Sequence, residues 1–137
     1  MQIIYLEKNI VIRINRMVTS RYSQPSVVNA EANLEYYLEA VQHYGENIMD
    51  EKERLFKKAA FLLYHLAYNC HAFADGNKRT ALISTTIFLN MNSWGVFVSE
   101  DKQGEMAKLI KDVAEGSKSV SAVYRWLDSV SKKIESR

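Results

Sequence analysis

"AAFLLYHLAYNCHAFADGNKRTALISTTIFLN" occupies residues 59–90. From Leu55 to Tyr68, and again after Arg79, apolar residues recur around most of a helical circumference. A helix that is apolar almost all round packs on several sides and belongs at the centre of a domain. Between the two lie nine residues of another kind, His71 to Arg79: an imidazole, an aromatic, a carboxylate, a glycine, an amide and two adjacent cations. The stretch predicts an all-α fold with two central buried helices joined by this loop.

Outward from it, helical periodicity dominates. Asp50, Glu51 and Glu53 suit the N-terminal dipole end of the first central helix. The second runs to about residue 93. Upstream, residues 30–44 read as a helix with Leu34, Tyr37, Leu38 and Val41 on one face and Gly45 as its stop. Residues 5–19 read as another, against the β-branched run from Ile10 to Ile14. Residues 20–29 hold the single proline and read as a loop. Downstream, 94–99 is extended, 101–116 is a helix ending at Gly116, and 119–134 is a last helix capped by Ser119 or Ser121. Trp94 and Trp126 read as core.

The 137 residues suffice for one domain, 1–137, with a real core. Net charge is +2, with 18 basic residues scattered among 16 acidic ones, so no concentrated basic face points to nucleic acid. Cys70 is the sole cysteine, which excludes an internal disulfide and argues against a thiolate zinc site. The apolar N-terminus is broken by Glu7, Lys8, Arg13 and Arg16, so it reads as neither signal peptide nor membrane span. A cytoplasmic protein without membrane contact is the expectation.

The joint itself could be an ordinary turn, with Asp75, Gly76 and Asn77 supplying stop and cap. Three features argue for chemistry. The helix opening at Asp75–Asn77 presents unpartnered N–H groups and a positive dipole end, which together favour an anion. Lys78 and Arg79 sit at that same end, where cations are disfavoured unless an anion such as phosphate compensates. His71 precedes the turn by four residues, with a pKa range suited to a general base. Asp75 is a carboxylate available to Mg²⁺, which takes a few carboxylate oxygens plus phosphates and water. The combination describes transfer of a phosphorus group from a nucleotide to a hydroxyl. Phe73 reads as an anchor pinning the loop to the core.

His71, Phe73, Asp75, Gly76, Asn77, Lys78 and Arg79 together resemble the Fic/Doc motif H-x-F-x-[D/E]-G-N-[G/K]-R. The resemblance is good over residues 50–95, extends to the last two helices, and over the first 45 residues is one of helical character. It implies an all-α Fic fold. It also implies His71 as the base toward a Ser, Thr or Tyr hydroxyl of a protein, Asp75 as the Mg²⁺ ligand, and Gly76, Asn77, Lys78 and Arg79 as the phosphate cradle for ATP. Residues 20–29 would fall where the family carries a flap that aligns its target.

Lys78 replaces the glycine of AMP-transferring members, and Leu82 stands where they often carry a second arginine. Lysine marks the Doc branch, the death-on-curing toxins, which move the γ-phosphate onto a protein such as an elongation factor. Ala72 in place of a frequent proline is a minor difference. The family's inhibitory motif, [S/T]-x-x-x-E-[G/N], has no full match; "SKKIES" at 131–136 comes near and reads as a frayed tail. An antitoxin docking a helix is therefore the expected partner. AMP transfer to protein hydroxyls is the rival chemistry. A binding module that keeps the fold without catalysis is the rival class, opposed by the intact His71, Asp75, Asn77 and Arg79.

Of the remaining candidates, a Cys70–His71 dyad is disfavoured because neighbours on a helix point apart. His65 reads as a hydrogen-bonded core or rim residue and His43 as surface. No histidine pair sits at i, i+4, which disfavours a zinc hydrolase.

Overall fold

The structure, a computed structural model, describes residues 2–21 and 26–134. Its order is α1 (Lys8–Arg21), α2 (Glu31–His43), α3 (Glu51–Tyr68), α4 (Asn77–Met91), β1 (Trp94–Val96), a 3₁₀ turn (Glu100–Lys102), α5 (Gln103–Ala114), α6 (Val120–Val130) and β2 (Ser131–Lys133). The fold is all-α, and the two helices either side of the quoted loop are α3 and α4.

Helix α3 is the centre: it packs against α2, α4, α5 and α6. Leu55, Phe56, Ala59, Leu62, Leu63 and Leu66 are all buried, on every side of the helix. Asp50 caps its start, accepting from the Glu53 N–H at 2.8 Å. Its partner α4 buries a narrower, smaller-residue face of Thr80, Ala81, Ser84, Thr85, Phe88 and Leu89. Small residues at that seam let two helices approach closely, while α1 covers α4 from the other side.

Several boundaries differ from the sequence expectation. The first helix begins at Lys8, not residue 5. Before it the chain is extended, and Ile4 is held by the buried Asn92, whose side chain accepts from the Ile4 N–H at 2.9 Å and donates to its carbonyl at 2.9 Å. The helix expected over 101–116 opens as a 3₁₀ turn and is α-helical from Gln103. The last helix, capped by Ser119, ends at Val130 and not at 134.

Ser131–Lys133 instead pairs antiparallel with β1, Trp94 opposite Lys133 and Val96 opposite Ser131. These residues are thus not a frayed tail; the pairing supplies hydrogen bonds that β1 would otherwise lack. Trp94 and Trp126 are half-buried at the edge of the core, not inside it. The Trp94 ring meets Phe56 edge-on at 5.0 Å, and the ammonium groups of Lys52 and Lys133 lie over it at 5.1 and 5.4 Å. An amphipathic ring with cations on it belongs at a rim. Among the described residues, no helix is long and apolar enough to cross a membrane.

Candidate active site

The α3–α4 joint begins where α3 stops. Asn69 and Cys70 both donate their backbone N–H to the His65 carbonyl, at 3.2 and 2.9 Å, closing the helix. His71 then takes φ +48°, a left-handed backbone that few non-glycine residues adopt. Such strain persists when its surroundings over-determine it, and here they do. The Cys70 carbonyl before it accepts from Asn33 Nδ2 at 2.9 Å. The Ala72 carbonyl after it accepts from the Asn29 and Ala30 N–H groups at 2.8 and 3.1 Å. The imidazole between these two clamped peptides is exposed.

Ala72 and Phe73 are buried, so Phe73 pins the loop as its apolar ring suggests. Residues 26–30 run alongside as a short antiparallel partner: Val28 bridges Phe73, and the Ala74 N–H donates to the Val27 carbonyl at 3.0 Å. The proposed flap position thus includes a segment that pairs with the loop. Residues 22–25 of that position lie outside the described residues.

Asp75 is half-buried. Gly76 follows at φ +77° and occupies the N-cap position of α4, its carbonyl accepting from the Thr80 N–H at 2.9 Å. A Cβ on Gly76 would lie 3.1 Å from Thr19 Cγ2 and 3.2 Å from Asn15 Nδ2. The space that glycine leaves faces α1, so its smallness serves the packing of α1 as well as the turn. Among the described residues, no side chain caps the α4 terminus, and no acidic residue occupies its first turn. Lys78 and Arg79 do: Lys78 exposed, Arg79 half-buried. Arg79 lines two clefts. One of ≈ 260 Å³ lies toward α1, with Met17, Val18, Arg21 and Ile83. The other, of ≈ 390 Å³, lies toward α5, with Lys78, Leu82, Met106, Ile110 and Ala114.

Asn77 has a second use for its side chain. Nδ2 donates to the Phe73 carbonyl at 2.8 Å and Oδ1 accepts from the Phe73 N–H at 3.3 Å. The amide closes the loop on itself, which leaves the Asn77 backbone N–H, in the first turn of α4, for an anion.

Sequence reasoning overlooked Asn15. It lies on the apolar stripe of α1 with Val11, Ile14 and Val18, and is fully buried. Nδ2 donates to the Asp75 carbonyl at 2.8 Å and to Thr80 Oγ1 at 3.1 Å; Oδ1 accepts from Ser26 Oγ at 3.1 Å. A lone amide at core spacing was the available signal. Asn33, which holds the loop's other end, is one polar residue among many on α2 and gave none.

The other titratable groups stand apart. Burial pushes the Cys70 thiol up to about 11, so it is a neutral thiol and no nucleophile. His65 stacks on Tyr37 at 4.7 Å, touches Phe61 and Tyr64, and shares a 2.8 Å hydrogen bond between Nδ1 and Asn69 Oδ1. Burial lowers its pKa. Among the described residues, no three His, Cys, Asp or Glu side chains gather as a metal site.

Fold and joint together define an all-helical protein whose central helix pair meets at an uncapped, cation-bearing helix terminus beside a constrained histidine. The family model described as the Fic/DOC family matches residues 5–89, more than half of the chain. The chain belongs to the Fic/Doc family. Toxin Doc of Mycolicibacterium smegmatis (strain ATCC 700084 / mc(2)155) is 45% identical over 67 residues, covering 48% of this chain and 49% of the relative. The match thus spans about half the length of that relative.

Proposed function

We propose that this protein is a Doc-type toxin: a phosphotransferase that moves the γ-phosphate of ATP onto a Ser or Thr hydroxyl of a target protein. One observation carries the reading. Among the described residues, the first turn of α4 has no side-chain cap and no acid, and it bears Lys78 and Arg79. Helix N–H groups with two cations beside them suit phosphate.

The ATP phosphates would lie on the N–H groups at Gly76–Arg79, with the Lys78 and Arg79 side chains about them. His71 Nδ1 or Nε2 would accept the proton of the incoming hydroxyl. The hydroxyl oxygen forms a bond to the γ-phosphorus as the bond to the β–γ bridging oxygen breaks, and ADP leaves. Mg²⁺ fits as a companion of the nucleotide: the donor set is the single half-buried carboxylate of Asp75, and one carboxylate plus phosphate oxygens and water is this ion's habit. When bound it would offset phosphate charge. Residues 26–30, already paired with the loop, would guide the target. The relative's name, Toxin Doc, supports the toxin assignment and, with it, an antitoxin partner.

The test is label transfer in a cell lysate supplied with this protein and Mg²⁺. With γ-labelled ATP, one protein should gain label on a hydroxyl, and His71→Ala should abolish it. Label passing from α-labelled ATP instead would assign AMP transfer and overturn the phosphotransferase reading.

A further inference from the structure

The motif loop is held at its phosphate end by a residue outside the motif. We infer that Asn15 of α1 is a positioning residue, fixing the Asp75–Thr80 corner on which anion and metal binding depend; the link to catalysis rests on the proposed phosphotransfer. Asn15 is 0% exposed, and both ends of its amide are engaged. The two Nδ2 contacts, to the Asp75 carbonyl at 2.8 Å and Thr80 Oγ1 at 3.1 Å, straddle Gly76 and the first turn of α4. The corner they span is where the backbone turns left-handed, at Gly76 φ +77°.

Hydrogen bonds to the two sides of a turn fix its dihedrals, and with them the aim of the first α4 N–H groups and of the Asp75 side chain. The third contact, from Ser26 Oγ at 3.1 Å, ties the same amide to the segment that pairs with Phe73. One side chain therefore sets the phosphate end of the loop relative to the neighbouring strand-like segment. Thr19, one turn on, hydrogen-bonds the Asn15 carbonyl at 2.8 Å and touches the Gly76 face, so α1 is shaped to this corner over two turns.

A buried polar residue also serves stability, and the test must separate the two roles. Val11, also 0% exposed on α1, provides the control. Asn15→Ala and Val11→Ala are compared well below both melting temperatures. In Asn15→Ala, backbone ¹⁵N order parameters at Gly76–Arg79 should fall from about 0.85 toward 0.6. KM for ATP with Mg²⁺ should rise on the order of tenfold, as for lost supporting contacts around a ligand site, with kcat little changed. Val11→Ala should do neither. Should Asn15→Ala not fold, Asn15→Ser, too short to reach the Asp75 carbonyl, takes its place.

Unchanged order parameters would overturn the inference, and so would a fall in kcat with KM unmoved. If the order parameters fall as expected while wild-type protein transfers no phosphate, the phosphotransfer reading fails and the positioning of the corner stands.

Discussion

His71 and Cys70 are neighbours with opposite fates. The imidazole is exposed on a left-handed residue between two clamped carbonyls, while the thiol beside it is 1% exposed and pushed up to about 11. The thiolate is the reactive form, so in the native protein Cys70 should resist iodoacetamide at pH 8 and react once urea unfolds the chain. Rapid alkylation of the folded protein would contradict the packing around it. Gly76 makes a second case. Alanine there would have to adopt φ +77° and press within 3.1 Å of Thr19 Cγ2 and 3.2 Å of Asn15 Nδ2. The left-handed backbone alone costs about 1–2 kcal/mol, and α1 would have to retreat. Urea unfolding of Gly76→Ala should show at least that loss; a neutral effect would mean that the corner is softer than drawn.

At the scale of elements, α2 ends on a buried cation. Lys58 of α3 is 0% exposed and donates to the Val41 and Gln42 carbonyls of the last α2 turn, at 3.0 and 2.9 Å, and to Glu46 at 2.7 Å. The ammonium satisfies carbonyls at the negative end of the α2 dipole. Lys58→Met keeps the stem and orphans those carbonyls, so it should cost about 2 kcal/mol or more. Lys52→Met loses an exposed ion pair with Asp128 and should change stability by less than about 1 kcal/mol. Equal effects would refute the distinction.

Lys58 also shows the limit of the sequence. Its place in "RLFKKAAF" is that of any solvated lysine, and only the approach of α2 gives it a burial. Helix α3 was legible because apolar residues wrap its circumference, α4 through its apolar runs Ala81–Ile83 and Ile87–Leu89, and the joint because it breaks that pattern with groups that need one another. The extended start, Asn92's hold on Ile4, and β2 were not, since each is decided by a partner remote in sequence. For the loop, residue types announced an anion site. The brace made by the Asn77 side chain, the Gly76 face turned to α1 and the grip of Asn15 needed the packing.

For the whole molecule, titration gives a stability profile with a signed prediction. His65 is half-buried among Tyr37, Phe61 and Tyr64, and its burial lowers its pKa below 6.5, the Asn69 hydrogen bond opposing this in part. The unfolded chain therefore takes up the proton first. Stability from this group is complete above pH 6.5, declines as pH falls below it, and levels off beneath the folded pKa. Glu46 adds a second limb. Lys58 holds its carboxyl below 4.5, so its contribution is present above that value and is lost as pH falls through the lowered pKa. At the other extreme Lys8, raised above 10.5 by Glu31 and Glu35, contributes fully below pH 10.5 and loses that contribution as pH rises through its raised value. The melting temperature should accordingly be flat from pH 7 to about 8, fall below pH 6.5, and fall again below 4.5; above about pH 9 the raised Cys70 thiol, at about 11, adds a loss on the alkaline side. In His65→Gln, whose amide carries no charge at any pH, the first decline should vanish and the second remain. A first decline that survives the substitution would place its source elsewhere than in the α2–α3 aromatic cluster.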